Sequence, residues 1–282
     1  MFNVNLGKMI ASLDSAILLN FRRLNMNKIL LFIFGVFSYG LFLMGTLITM
    51  GFLNNIWLPE GIDQGTSAPL ILALLINVGL VTLFGFSHSV LARDSVKQAL
   101  ASWLPQASIR SLYVFQSSAI LIGICFAWQA MPTVIWNVQN PTLSWIVLGL
   151  QGVGWLTVVL ATFAINHFEL TGLQQVYYNL KARPEPASKF MTPWLYRIVR
   201  HPMQTGLLMA FWFTPHMTLG HVIFAGTMTL YILIGIRFEE RSLVTQFGDA
   251  YRDYQNQVPM LIPRLVRLSG GMAPSPRSDS LH

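Results

Sequence analysis

The chain has 282 residues, 54% of them apolar and 10% charged, with a formal net charge of +7. Soluble domains carry charge on roughly a quarter of their residues, so this composition excludes one and indicates a protein embedded in a membrane. The positive balance raises nucleic acid as a partner, but the basic residues alternate from loop to loop, which is the signature of membrane orientation and argues for a lipid bilayer instead.

Residues 1–28 place Leu6, Ile10, Leu13, Ile17, Phe21 and Leu24 at three- and four-residue spacing, which predicts an amphipathic arm lying on the inner leaflet. Four apolar stretches follow, at about 29–53, 69–92, 110–131 and 142–166. Each approaches the ~20 residues that a spanning helix needs. Cys125 lies inside the third and is read as core, because no partner for a disulfide or a nucleophile accompanies it. A fifth apolar region, 204–236, holds 33 residues with Pro215 and Gly220 near its middle, too many for one crossing and few for two. It predicts a tight helical hairpin of two short spans.

Charge supports that parity. Lys8, Arg22, Arg23 and Lys28 precede the first span; Arg93, Lys97 and Arg110 separate the second from the third; Lys181, Arg183, Lys189, Arg197 and Arg200 follow the fourth; the remaining basic residues, from Arg237 on, follow the hairpin. The alternate loops, 54–68, 132–141 and 214–221, contain no Lys or Arg. The positive-inside rule then puts both termini in the cytoplasm. The expectation is an all-α integral membrane protein of about six transmembrane helices, with one membrane domain over 29–264 and a disordered tail over 265–282.

Few polar residues sit at membrane depth, and each needs a reason. His88 and Ser89 fall at the inner end of the second span, where a histidine is suited to act as a general base or to cap a neighbouring carbonyl. Arg110 and Tyr113 share a face at the start of the third, as snorkelling anchors or as part of a site. His167 and Glu169 stand just past the fourth. His216 and His221 lie five apart on the opposite side of the membrane, too sparse for a metal site, and no metal is expected. The closely spaced glycines of "GLQGVGW" lack the strand and spacing of a dinucleotide loop and read as a helix-packing face.

The sharpest cluster comes last. Arg200, His201 and Pro202 stand at the mouth of the hairpin's first helix, and Arg237, Glu239, Glu240 and Arg241 at the mouth of its second. A hairpin brings the two together. The result is either an internal salt-bridge network between Arg200 and the glutamates or a pocket for a zwitterionic ligand. Downstream, Leu243, Phe247, Tyr251 and Tyr254 recur at helical spacing until Pro259 and Pro263 end the helix.

"RHPMQTG", the apolar hairpin and "RFEERSLVTQFGDAYRDYQNQVPMLIP", over residues 200–263, resemble the carboxy-terminal signature of the isoprenylcysteine carboxyl methyltransferase and phospholipid methyltransferase superfamily. "FSHSVLAR", "RSLYVFQSS" and "HFELTGLQQV" are similar to its NnrU-like branch, and within it to the bacterial methanethiol S-methyltransferases, which make dimethyl sulfide. The resemblance implies S-adenosylmethionine as cofactor in a site facing the cytoplasm from the bacterial inner membrane. It implies that Arg200, His201, Pro202 and Gly206 meet that cofactor, that Glu239 or Glu240 receives its ammonium group, and that Tyr251 and Tyr254 close the adenosine side. A small thiol becomes the acceptor, with His88 as the first candidate base, Tyr113 the next, and deprotonation without a dedicated residue a third route. Ser89, Arg110, His167, Glu169 and Gln175 are expected on the acceptor side or in support of the site. Two alternatives stand beside this: a prenylcysteine carboxylate or phospholipid amine as acceptor, or a non-catalytic accessory role.

Overall fold

The computed structural model describes residues 4–186 and 191–264, with side chains from residue 27 onward. The helix α1 (Val4–Leu53) runs unbroken from the arm into the first span, whose apolar part is Asn27–Leu53. Side chains of the arm before residue 27, and the tail over 265–282, lie outside the described residues. Then come α2 (Leu70–Ala92), the short α3 (Asp94–Ala101), α4 (Gln106–Ala127), strand β1 (Val134–Asn137) and α5 (Pro141–Ile165). The segment after α5 breaks into α6 (His167–Leu170), α7 (Leu173–Leu180) and one 3-10 turn at Trp194–Arg197. The chain closes with α8 (Pro202–Trp212), β2 (His216–Thr218), α9 (Leu219–Phe247) and α10 (Asp249–Gln257). Among the described residues, α1 from Asn27, α2, α4, α5 and α9 are long and apolar enough to cross a membrane. The protein is an all-α integral membrane protein, and outward-facing side chains such as Ile71, Phe86 and Trp145 mark the surface that meets lipid.

The hairpin is present but lopsided. Its second arm is the 29-residue α9, while its first is an 11-residue helix followed by a tight turn into the three-residue β2.

Ending a helix at this depth exposes carbonyls that lipid cannot satisfy. All four of the last are answered. Met209 O accepts from Phe213 N at 3.0 Å and Trp212 O from Thr214 N at 3.1 Å. Ala210 O accepts from Gln151 Nε2 at 3.1 Å and Phe211 O from His221 Nε2 at 2.9 Å. His221, fully buried, thus serves as a helix terminator.

The end without basic residues is a knitted cap. β1 pairs antiparallel with β2, Gly220 N donates to Met131 O at 3.0 Å, Ala130 N to Thr66 O at 2.8 Å, and Thr218 Oγ1 donates to the Asp63 carboxylate. Below it, Phe52, Trp128, Phe211 and Phe224 pack edge to face around the centre of the core. At the α5–α8 crossing, an added Cβ on Gly154 would meet Gly206 O at 2.7 Å and one on Gly206 would meet Gly154 O at 2.6 Å, so the two backbones touch only because both residues are glycine. The opposite, basic end is open, and the chemistry gathers there.

Candidate active site

The mouth of α8 is held by the chain's own carboxy-terminal strap. Pro202 sits at the first helical position with His201 as cap, a place where proline loses no hydrogen bond. Arg200 N donates to Pro259 O at 2.8 Å, His201 N to Met260 O at 3.1 Å, and Thr205 Oγ1 to Leu261 O at 2.9 Å. The Arg200 side chain donates through Nε to Glu240 Oε1 at 2.7 Å and through Nη1 to the carbonyls of Gln255 and Val258 at 3.0 and 2.5 Å. His201 Nε2 lies 3.1 Å from that same Glu240 oxygen, and Gln255 Nε2 donates to the other at 3.0 Å. Tyr254 Oη donates to Tyr196 O at 2.5 Å, tying α10 to the 3-10 turn. Arg200 and Glu240 are nearly buried, so each needs the other.

In front of this network opens a cleft of about 480 Å³, within the range of small-molecule sites. One wall is Arg200, His201, Gln204 and Glu239, and a second is Phe247, Tyr251 and Tyr254. The third comes from across the bundle: Arg110 on α4, Asn166 and Glu169 at the α5–α6 junction, and Gln175 on α7. Burial pushes the phenol of Tyr251 well up, with the Glu240 carboxylate adding to it, and pushes that of Tyr254 up to about 12. Both are neutral phenols at any physiological pH.

The two glutamates differ. Glu240 is enclosed by Arg200, His201 and Gln255, whereas Glu239 is half open to the cleft, with Gln204 Nε2 at 3.5 Å and His201 Nδ1 at 3.8 Å. Across from it, Gln175 donates its amide to Glu169 O at 3.3 Å while its Oε1 is buried without a hydrogen-bond partner. The cleft therefore presents one loosely held carboxylate, and an unanswered buried acceptor lies in its wall.

One helical turn deeper than Arg110, the Tyr113 hydroxyl is hydrogen-bonded to His88 Nε2 on α2. His88 Nδ1 lies 2.8 Å from Ser117 Oγ, and the Arg110 guanidinium stands 5.1 Å over the Tyr113 ring. Tyr231 of α9 meets His88 edge to face at 6.1 Å, its ring lying where a Cβ on Gly85 would come within 2.8 Å. Arg110 joins this pair to the cleft, belonging to both.

A family model described as NnrU protein matches residues 75–273. The chain belongs to the NnrU family. It is 41% identical over 238 residues to methanethiol S-methyltransferase 2 of Bradyrhizobium diazoefficiens, covering 84% of this chain and 92% of that protein. The methanethiol S-methyltransferase of Mycobacterium tuberculosis is 41% identical over 84% of this chain and 98% of its own length. That of Pseudomonas deceptionensis is 45% identical over 77% and 83%. No solved structure matches the chain.

Of the residues that the sequence singles out in this NnrU chain, Arg110, Glu169, Gln175, Arg200, His201, Glu239, Tyr251 and Tyr254 line one cleft. Glu240 stands behind it as the anchor of Arg200, and Pro202 starts α8 buried. Gly206 packs against α5 and does not line the cleft. His88, Tyr113 and Ser89 form the adjoining polar pair and its neighbour. His167 lies outside the lining, buried against α1: its Nε2 is 3.0 Å from Tyr39 Oη, its Nδ1 2.9 Å from Thr162 Oγ1, and its ring stacks on Phe163 at 4.3 Å. Sequence reasoning missed Asn166, Tyr196 and Gln204. Asn166 terminates α5 at φ 152° and its amide donates to Glu169 Oε2 at 3.1 Å and Gln174 Oε1 at 2.8 Å, so it shapes the rim. The "NHFEL" pattern of a capping asparagine with a glutamate three residues on was the available signal.

Proposed function

We propose that the chain is an S-adenosylmethionine-dependent methyltransferase that converts methanethiol to dimethyl sulfide at the cytoplasmic face of a bacterial inner membrane. The observation that carries this reading is the loosely held Glu239 carboxylate set in one cleft with neutral phenols and an unanswered amide oxygen, beside a half-buried Tyr113–His88 pair. The donor set fits the cofactor. Glu239 suits its ammonium group, Arg110 and His201 its carboxylate side, Gln175 Oε1 an amino or hydroxyl hydrogen, and Phe247 with Tyr251 its apolar ring. Bound there, S-adenosylmethionine supplies the methyl group as an electrophilic sulfonium. Glu240 and Arg200 act on the site by holding α10 against α8.

The acceptor needs its proton removed, since a thiolate is the nucleophile. The Tyr113–His88 pair is the polar group at membrane depth next to the cleft, and aromatic rings flank it: Phe84 lies 5.3 Å from the His88 ring and Tyr231 meets it edge to face. That packing also favours a small thiol over a lipid acceptor. A prenyl or acyl chain needs a lateral opening between helices, and beside this pair the α2–α9 seam is filled by Tyr231 seated on Gly85. The orientation rests on the basic residues gathered at the cleft end.

Purified protein given S-adenosylmethionine and methanethiol should release dimethyl sulfide into the headspace. Methylation of farnesylcysteine analogues or phosphatidylethanolamine in its place would overturn the acceptor, and undetectable cofactor binding would overturn the enzyme.

A further inference from the structure

We infer that Ser117 fixes His88 in its Nδ1–H tautomer, so that Tyr113 Oη takes the thiol proton and His88 Nε2 stores it. The inference rests on the function proposed above and specifies how its proton is handled.

The argument is an accounting of hydrogens. Ser117 Oγ lies 2.8 Å from the Tyr113 carbonyl oxygen one turn back along α4 and 2.8 Å from His88 Nδ1. A carbonyl oxygen carries no hydrogen, so the serine hydroxyl hydrogen must point at it. The lone pairs of Ser117 Oγ then face His88 Nδ1, and only a protonated Nδ1 makes that contact a hydrogen bond. A neutral imidazole protonated at Nδ1 has a bare Nε2. The Tyr113 hydroxyl meets that bare nitrogen, and among the described residues it makes no other hydrogen bond. The reverse arrangement leaves two oxygens of α4 facing each other with no hydrogen between them, and makes Nε2 a donor to a phenol whose own hydrogen has no acceptor.

The direction of proton flow follows. In the thiol the S–H bond breaks, and its electron pair forms the new S–CH3 bond while the sulfonium sulfur of the donor keeps the pair of the bond it loses. The thiol proton passes to Tyr113 Oη as the phenol proton passes to His88 Nε2. The product state is a neutral thioether, a neutral phenol and an imidazolium whose Nδ1–H still donates to Ser117. Tyr113 is the residue that touches the acceptor; His88 acts through it, and Ser117 is a positioning residue. The other groups facing His88 and Tyr113 are Arg110 on α4 and Tyr231 on α9, with Glu239 on α9 acting on Tyr113 through its charge.

The test uses the full chain in lipid nanodiscs with isotope-labelled histidine, the His88→Gln variant assigning the His88 signals. Solid-state NMR should show His88 as the Nδ1–H tautomer at neutral pH and a mixture of tautomers in Ser117→Ala. A wild-type His88 found as the Nε2–H tautomer overturns the inference whether or not the protein makes dimethyl sulfide. In turnover, Ser117→Ala should lower kcat roughly 10- to 100-fold, at the weak end of general-base and tautomer effects, with cofactor Kd unchanged. Ser117→Thr should restore kcat to within about threefold, because a helical threonine keeps a hydroxyl on the i−4 carbonyl. The loss in Ser117→Ala should shrink as pH rises from about 7 to 9.5 and bulk water supplies more thiolate. A uniform loss at every pH, or equal loss in Ala and Thr with weakened cofactor binding, means that Ser117 only packs. If wild-type protein makes no dimethyl sulfide while the tautomer is as stated, the function falls and the tautomer lock stands.

Discussion

Replacing either glutamate by glutamine should weaken cofactor binding, but the two variants should fail in different ways. Glu239 is loosely held and half open to the cleft, so its carboxylate is available to a ligand's ammonium group. A hydrogen bond to a charged group contributes about 1.5–3 kcal/mol, and exposure reduces it, so about 1–2 kcal/mol is expected here. That corresponds to a 5- to 30-fold weaker Kd. Glu240 is bound to Arg200, His201 and Gln255, and with the neutral amide in its place Arg200 has only carbonyls and an amide to hold. The loss of one charged bond in a nearly buried pair is about 2–3 kcal/mol, and it falls on the strap from α10 to Leu261, which carries Tyr251 and Tyr254. Two ligands separate the cases. S-adenosylhomocysteine has the amino-acid group, and 5′-methylthioadenosine lacks it. Calorimetry in detergent should find Glu239→Gln weaker for the first and unchanged for the second, and Glu240→Gln weaker for both by roughly 30- to 150-fold. If Glu239→Gln weakens both ligands equally, or Glu240→Gln spares the nucleoside, the assignment of contact to one residue and support to the other is refuted.

Gly206→Ala drives a methyl group into Gly154 O at 2.6 Å and Val158 N at 2.9 Å, both backbone, and should cost about 1–3 kcal/mol, lowering the Tm by several degrees. Gly152→Ala, with nothing within 4 Å, should leave the Tm unchanged, and equal Tm values in the two variants would contradict the crossing. Tyr231→Ala should open the seam beside His88, so the preference for methanethiol over propanethiol falls about tenfold or more in competition assays; an unchanged ratio would remove Tyr231 from acceptor selection. Burial holds the His167 pKa below its ordinary 6.5, so the folded chain binds fewer protons there than the unfolded one. Stability should therefore be level above pH 6.5 and fall as pH drops below it, by at most about 1.4 kcal/mol per pH unit. His167→Gln should flatten that part of the Tm profile, and an identical slope in both proteins would place the titration elsewhere.

The crossings were legible because hydrocarbon thickness and loop charge are local properties of the chain. The 33 residues of 204–236, bounded by Arg200 and Arg237, specify an even number of passages whatever their shape. The short α8 was not legible, since its early end depends on partners outside its own turns. Gln151 and His221 answer its terminal carbonyls, and β1 at Val134–Asn137 pairs with β2 across nearly eighty residues. The cleft shows the same division. Glu239, Glu240, Tyr251 and Tyr254 announce themselves by charge and spacing, but the sequence leaves the glutamates equivalent, and only the position of Arg200 between Glu240 and two strap carbonyls separates them. Gly206 is conspicuous in "RHPMQTG" and its contact is with a neighbouring helix. Gln204, inside that same motif, reaches the cleft from the first turn of α8, and Tyr196 reaches it from the 3-10 turn that Tyr254 ties to α10.

His88 and His167 show why local chemistry does not name a site. Each has a hydroxyl at Nδ1 whose hydrogen goes to a helix carbonyl: Ser117 to Tyr113 O at 2.8 Å, and Thr162 to Val159 O at 2.7 Å. Each has a tyrosine hydroxyl at Nε2, from Tyr113 and from Tyr39. The same hydrogen accounting at Nδ1 applies to both. What differs is the far side of the phenol. The Tyr113 ring lies under Arg110, which lines the cleft, so this phenol stands beside the site. The Tyr39 ring lies against Phe42 and Phe168, and His167 is stacked on Phe163, so no reacting group reaches that oxygen and the bond fastens α1 to the α5–α6 junction. The same three groups serve as relay or as rivet according to what the phenol faces, and that is decided by helix packing.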